Sequence, residues 1–238
     1  MLLDYLTLVG FGPTGWGLQL LRAAAMTLAV SAAAIATGLV FGTLGAWAKL
    51  SGSRLAARAG DIYTTVIRGV PDLLVIYLFY FGGSQVLTSA GHWFGNEGFL
   101  GLNPFLVGAL AVGTVSGAYQ TEVIRGGFLS VPRGEIEAAR AVGMGRLLML
   151  RRIIAPRTLR YALPGMGNVW QGVLKESALI TVTGLVEIMR QVHIGAGSTH
   201  RSFEFYITGL LLFLALTTFS GFGFRGAERR TQSYERRA

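Results

Sequence analysis

The stretch AAAMTLAVSAAAIATGLVFGTLGAWA, Ala23 to Ala48, carries no charged side chain. A helix crosses the hydrocarbon core of a bilayer with about 20 mostly apolar residues. This stretch is therefore read as a membrane span, and it decides the fold class. Within it, Gly38 and Gly42 form a GxxxG pair with Gly45 close behind. Small residues let helix backbones approach in lipid, so the glycines are read as close packing and not as proof of a dimer face.

The whole composition points the same way. Hydrophobic residues make up 52% of the 238 and charged residues 14%, against about 25% charged in ordinary globular domains. The chain lacks the polar surface a soluble protein needs. Its net charge of +9 lies in arginines placed between apolar stretches, which makes it a topology signal and not a nucleic-acid surface. Cysteine is absent, which excludes disulfides, thiol catalysis and cysteine-ligated metals. The N-terminus, Met1-Leu2-Leu3-Asp4, has no basic n-region or small-residue cleavage site, so the first span is expected to act as its own insertion signal.

Outward from the first span, taken as 19–47, four more follow. The second is expected over 61–87, around the apolar run from Leu73 to Phe81, with Arg68 and Asp72 inside it or at its edge. The third covers 103–124 and the fifth 204–224. The fourth, 161–186, joins two apolar halves across the polar pair Lys175-Glu176; a re-entrant or broken helix is the alternative there. Lys49, Arg54 and Arg58 follow the first span, eight arginines from Arg125 to Arg160 fill the 125–160 connection, and Arg225, Arg229, Arg230, Arg236 and Arg237 follow the fifth. Positive charge marks the cytoplasmic side. An odd number of spans then puts the N-terminus outside and the C-terminus in the cytoplasm.

The 125–160 connection has a pattern of its own. Glu135 to Val142 reads as a short helix of good helix formers, Gly143 and Gly145 as a turn, and Arg146 to Ala155 as a second, amphipathic helix ended by Pro156. Two helices joined at a glycine turn make a rigid knob, with Ala138 and Ala139 small enough for close docking. The plain alternative is an arginine-rich hairpin lying on anionic lipid.

Glu137-Ala138-Ala139, Gly143 four positions after Ala139, then Ile153 and Pro156 resemble the EAA loop of ABC importer permeases, with Ala155 where the family pattern has Leu. Tyr63 to Gly83 is similar to the RGxP…YFG segment of the polar amino-acid permeases, and Gly117 to Gly127 to their AYxxExxRGG stretch. Leu163-Pro164…Asn168 with Leu174-Lys175-Glu176-Ser177-Ala178-Leu179 is similar to LPxxxN…LKDTSL, with Glu176 for Asp and Ala178 for Ser. The look-alikes carry histidine, arginine and ornithine, or the opines octopine and nopaline.

The resemblance implies an all-α membrane protein of the type I ABC importer permease fold, with about five transmembrane helices and a cytoplasmic coupling-helix loop. It implies ATPase coupling through Glu137, Ala138, Ala139, Gly143, Ile153 and Pro156. It also implies ABC ATPase subunits that bind ATP and Mg, a second permease chain (homologous or identical), a periplasmic amino-acid-binding protein, and the bacterial inner membrane. The chain itself has no G-x-x-x-x-G-K-[ST] loop, so the energy must come from a partner, and no cofactor is expected in it.

Ionisable residues inside a membrane line cavities or pair. Glu176 and Glu204, with the amides Asn168 and Gln171, are the candidates for a path that meets a cationic substrate. Arg68, Glu122 and Lys175 are read as setting helix positions, Arg68 and Glu122 by snorkelling or by pairing with each other. Glu187 and Glu204 can also be read as outer-interface residues, and His92, His193 and His200 as incidental outer-loop residues and not as ligands. Two other classes remain open: a passive channel or secondary transporter, which would not need the EAA-like knob, and a small membrane enzyme, for which no nucleophile or metal cluster is found.

Overall fold

In lipid a backbone must satisfy its own hydrogen bonds, and the apolar runs are rich in good helix formers, so each run closes into helix. The computed structural model describes residues 2–93, 98 and 100–232, and those residues form helices and connections without a strand. Met1, Arg236 and Arg237 lie outside the described residues. In chain order the helices are α1 (Leu2–Val9), α2 (Gly17–Leu50), α3 (Arg54–Gly69), α4 (Asp72–Tyr77), α5 (Gly83–Trp93), α6 (Pro104–Leu129), α7 (Arg133–Ala141), α8 (Arg146–Met149), α9 (Ala155–Glu176), α10 (Ile188–Thr199) and α11 (Ser202–Gln232). A π-helical turn, Leu78–Gly82, joins α4 to α5, and another, Leu150–Ile154, joins α8 to α9.

Gly17–Leu50, Asp72–Trp93 and Ser202–Arg230 are long and apolar enough to cross a membrane. Helices α6 and α9, where the third and fourth spans are expected, have 26 and 22 residues but a more mixed composition. The reason is their place in the bundle. Of the 26 residues of α6, 13 are buried, so this helix meets other helices where an outer one would meet lipid. Asn103 and Pro104 start it: the Asn103 side chain accepts from the Phe105 and Leu106 amides at 2.9 and 3.2 Å, and proline suits the first helical turn.

Helices α2 and α6 meet along a seam of small residues. Thr27, Ser31, Ala34, Gly38, Gly42 and Gly45 of α2 are buried at three- or four-residue spacing. A Cβ on Gly42 would lie 2.6 Å from the Gln120 Cβ, and one on Gly38 or Gly45 would collide with Ser116 or Thr121 of α6. The expected close packing of Gly38, Gly42 and Gly45 is thus spent inside the chain.

Three expectations change. The run expected over 61–87 is two elements, because Val70-Pro71 interrupts it. Val70 is extended (φ −102°, ψ 140°), the conformation proline imposes on its predecessor. Asp61 and Arg68 therefore belong to α3, and Asp72 opens α4. In the fourth span, α-helical winding stops at Glu176 and tightens into a 3-10 helix, Ser177–Thr183, which ends at Gly184 with φ +87°. Pro156 does not end a helix: helical winding runs through it from the π-helical turn Leu150–Ile154 into α9, and the wider turn comes just before the residue that lacks an amide donor.

The 187–204 connection also holds more than a loop. Helix α10 packs Ile188, Val192 and Ala196 against Phe205 of α11 and Ala24 of α2, and Trp16 meets Phe205 edge-on at 5.4 Å. His193 lies in α10, against the Tyr206 ring at 5.8 Å, and His92 in the last turn of α5. Glu187 is fully buried within the bundle. It caps α10 by accepting from the Met189 and Arg190 amides, both at 2.8 Å.

The seam predicts the effect of adding volume to it. Gly42→Leu should lower the unfolding free energy by about 1–3 kcal/mol through overpacking, read as a lower melting temperature in detergent. Gly126→Ala, with no heavy atom within 4 Å of the added carbon, should melt like the parent. Equal melting of both variants would mean the seam carries no packing constraint.

Candidate functional site

Three sets of functional side chains can be built from these helices. The first lies between α6 and α9. Asn168, Gly172 and Glu176 repeat every four residues, so they share one face of α9. Opposite them on α6 stand Tyr119 and, one turn earlier, the buried Ser116, whose hydroxyl turns back to the Gly113 carbonyl and the Gln120 amide. Together with Lys175 they line a cleft of about 240 Å³. A Cβ on Gly172 would sit 3.5 Å from Glu176 Oε1, in ordinary contact, so Gly172 and the Glu176 carboxylate adjoin on the cleft wall. Asp72, in the first turn of α4, interacts electrostatically with Glu176. The Arg68 guanidinium lies 5.0 Å from the centre of the Tyr119 ring, a cation–π arrangement.

This geometry brings Asn168 and Glu176 together and leaves the other two path candidates apart. A Cβ on Gly221 of α11 would lie 3.7 Å from Gln171 Nε2, so Gln171 faces α11. Glu204 pairs with Arg201 at 3.3 Å in the first turn of α11. Lys175 borders both the cleft and a second, apolar cavity of about 320 Å³ lined by Val192, Tyr206 and Phe213. Sequence reasoning missed Ser116 and Tyr119. Their i, i+3 spacing was available, but hydroxyls in an apolar helix are also ordinary packing residues.

The second set is an ion cluster at the ends of α2, α3 and α6. Lys49 Nζ reaches Glu122 Oε1 at 2.5 Å, Asp61 Oδ1 at 2.9 Å and the Thr64 hydroxyl at 2.8 Å. Arg125 closes on the other oxygen of Glu122 through Nε at 3.0 Å and Nη2 at 2.8 Å. Glu122 therefore pairs with Lys49 and Arg125. The expected Arg68–Glu122 pair does not form, because Arg68 is turned toward Tyr119.

The third set is the hairpin of α7, α8 and the π-helical turn. Its corner is a Schellman motif: the Met144 amide donates to the Ala139 carbonyl (3.0 Å) and the Gly143 amide to that of Arg140 (2.9 Å). Gly143 has φ +76°, where a side chain is strained. Ala139 is buried with Met149 and Ile154 against Ile136, Met144 and Ile153. Glu137, Ala138 and Pro156 face outward. Glu135 and Arg157 form a two-pronged pair at 2.9 and 3.0 Å that ties α7 to α9. At the tip, Val142 and Leu147 are each 78% exposed.

Residues 38–233 match the family described as binding-protein-dependent transport system inner membrane component. The chain is 58% identical over 229 residues to the octopine transport system permease protein of Rhizobium radiobacter, covering 96% of this chain and 97% of that one. It is 38% identical to the histidine/lysine/arginine/ornithine transport system permease protein of Escherichia coli (strain K12), covering 91% and 94%. Among solved structures, a crystal structure of an amino acid ABC transporter with histidines superposes with a TM-score of 0.75 at 30% identity, covering 90% of this chain and 95% of that one.

The ion cluster yields a direct test. The Lys49 side chain is 10% exposed and serves two carboxylates. Lys49→Met should cost on the order of 2 kcal/mol of stability. Combined with Glu122→Gln it should cost less than the sum of the two single changes, with a coupling of about 1 kcal/mol or more. Additive losses in thermal or denaturant unfolding would show that the pair is not coupled.

Proposed function

Because the chain belongs to the binding-protein-dependent transport system inner membrane components, as an ABC importer permease for amino acids or opines, we propose that its cargo is a cationic member of that class and that this cargo passes along the cleft between α6 and α9. The observation that carries this reading is the convergence of Glu176, Asn168 and Tyr119 on one cleft. An ammonium or guanidinium group leaving water needs anionic and hydrogen-bonding partners. Lysine, arginine and ornithine, in the name of one relative, are cations of that kind. Lys175 and Arg68 at the margins are suited to a substrate carboxylate. Gln171 and Glu204, turned toward α11 and Arg201, are outside the path in this reading.

The chain is a transport subunit and not itself an enzyme. In this proposal the hairpin, with Glu137, Ala138, Ala139, Gly143, Ile153 and Pro156, docks on a partner ATPase that binds ATP and Mg. The apolar tip at Val142 and Leu147 and the Glu135–Arg157 tie support that role, since a lever must present a docking surface and be fixed to the helix it moves. The arginine bias of 125–160 supports a cytoplasmic hairpin and C-terminus and an external N-terminus. A binding protein on the outer side would hand over the amino acid. A second permease chain, identical or homologous, would close the open side of the cleft.

Glu176→Gln is the discriminating variant. In proteoliposomes holding the assembled transporter, initial uptake of a cationic substrate should fall about tenfold, as expected for losing a hydrogen bond to a charged group. Co-purification of the partner subunits should be unchanged. Undiminished uptake by fully assembled complexes would remove Glu176 from the path.

A further inference from the structure

A groove outside the cleft has a different character. It lies between the end of α2, the end of α6 and the start of α9, with a volume of about 520 Å³. Its walls include Leu39, Trp47, Ile124, Phe128, Ile154 and Leu159, and it is almost wholly apolar. Trp47 is 67% exposed and Leu159 64%. The apolar wall stops at Ser51 on one side and Leu150 on the other.

Basic residues begin where the apolar wall ends. Arg54 opens α3, three positions after Ser51, and is exposed. Arg151 and Arg152 directly follow Leu150 and are also exposed. Arg151 lies one turn before Ala155, which is itself part of the groove wall. The nearby carboxylates are engaged elsewhere, since Asp61 and Glu122 hold Lys49. An apolar slot in a membrane-embedded chain, a tryptophan on its wall and exposed arginines where that wall ends match the parts of one molecule. Tryptophan favours the membrane interface, and basic clusters beside membrane helices attract anionic headgroups.

We propose that this groove is a selective site for an anionic phospholipid, with one acyl chain against Trp47, Phe128 and Leu159 and the phosphate between Arg54 and Arg151. The charge complementarity of the mouth favours that occupant over a second protein chain. The inference needs only that the chain is embedded in a membrane, and it does not depend on the path proposed through the cleft.

The test reads lipid contact by fluorescence. Trp16, Trp93 and Trp170 are replaced by Phe in the assembled transporter, leaving Trp47 as this chain's reporter, and partner tryptophans are replaced likewise. Quenching is then titrated with brominated phosphatidylglycerol or brominated phosphatidylcholine in bilayers of stated composition. Phosphatidylglycerol should bind more tightly, and each of Arg54→Ala and Arg151→Ala should reduce that preference about fivefold. Arg146→Ala, away from the groove wall, should leave it unchanged. Equal quenching by the two lipids, or a preference that survives both arginine changes, overturns the proposal. No quenching by either lipid also overturns it, since the groove would then be covered by protein.

Discussion

The contact between α2 and α6 sets the positions of everything else. In lipid, helices gain little from burying apolar surface against one another, so close packing of small residues decides which pairs form. Gly38, Gly42 and Gly45 let α6 settle against the α2 backbone, with Ser116, Gln120 and Thr121 filling the space. That placement sets Tyr119 opposite α9 and brings Glu122 within reach of Lys49. It also presents Gly127 to Thr158 and Ala162, so α9 approaches closely in turn. The cleft, the ion cluster and the root of the hairpin all depend on α6.

A division of labour along the chain follows. The apolar helices α2 and α11 and the Asp72–Trp93 segment meet the bilayer, while α6 buries Ser116, Gln120 and Thr121 and α9 turns Asn168 and Glu176 to the cleft. The change in winding at Glu176 fits this division. At Ser177 the hydroxyl donates to the Leu174 carbonyl at 2.7 Å, and at Thr183 to that of Ile180 at 2.8 Å. Those bonds accompany the passage from α to 3-10 geometry beside the cleft. Local side-chain to backbone bonds of this kind compete with regular helix.

Much of the architecture was legible because composition and period act locally. The uncharged run from Ala23 to Ala48, the glycine spacing within it and the turn at Gly143 need no tertiary information. The break at Val70-Pro71 was also written in the sequence, yet the apolar run on its far side masked it. Partner choice was not legible. Arg68 faces Tyr119, and Glu122 faces Lys49 and Arg125, because the rotation of each helix about its axis is set by packing. The same holds for Gln171 and Asn168. They are three residues apart on α9, yet one faces α11 and the other the cleft. Glu187 looked like an interfacial charge, but its acceptor role belongs to the start of α10, a helix that an ordinary-looking connection concealed.

The central claim is that the α6–α9 cleft is the route of a cationic amino acid or opine. Since the chain has no cysteine, Gly172→Cys gives this chain a single thiol on the wall of the cleft, and partner cysteines can be removed alongside. In the assembled, energised transporter, the rate at which a small polar thiol reagent modifies this position should fall when arginine or octopine occupies the route, and leucine should have no effect. Modification that cationic substrate does not slow, or that leucine slows equally, would contradict the account.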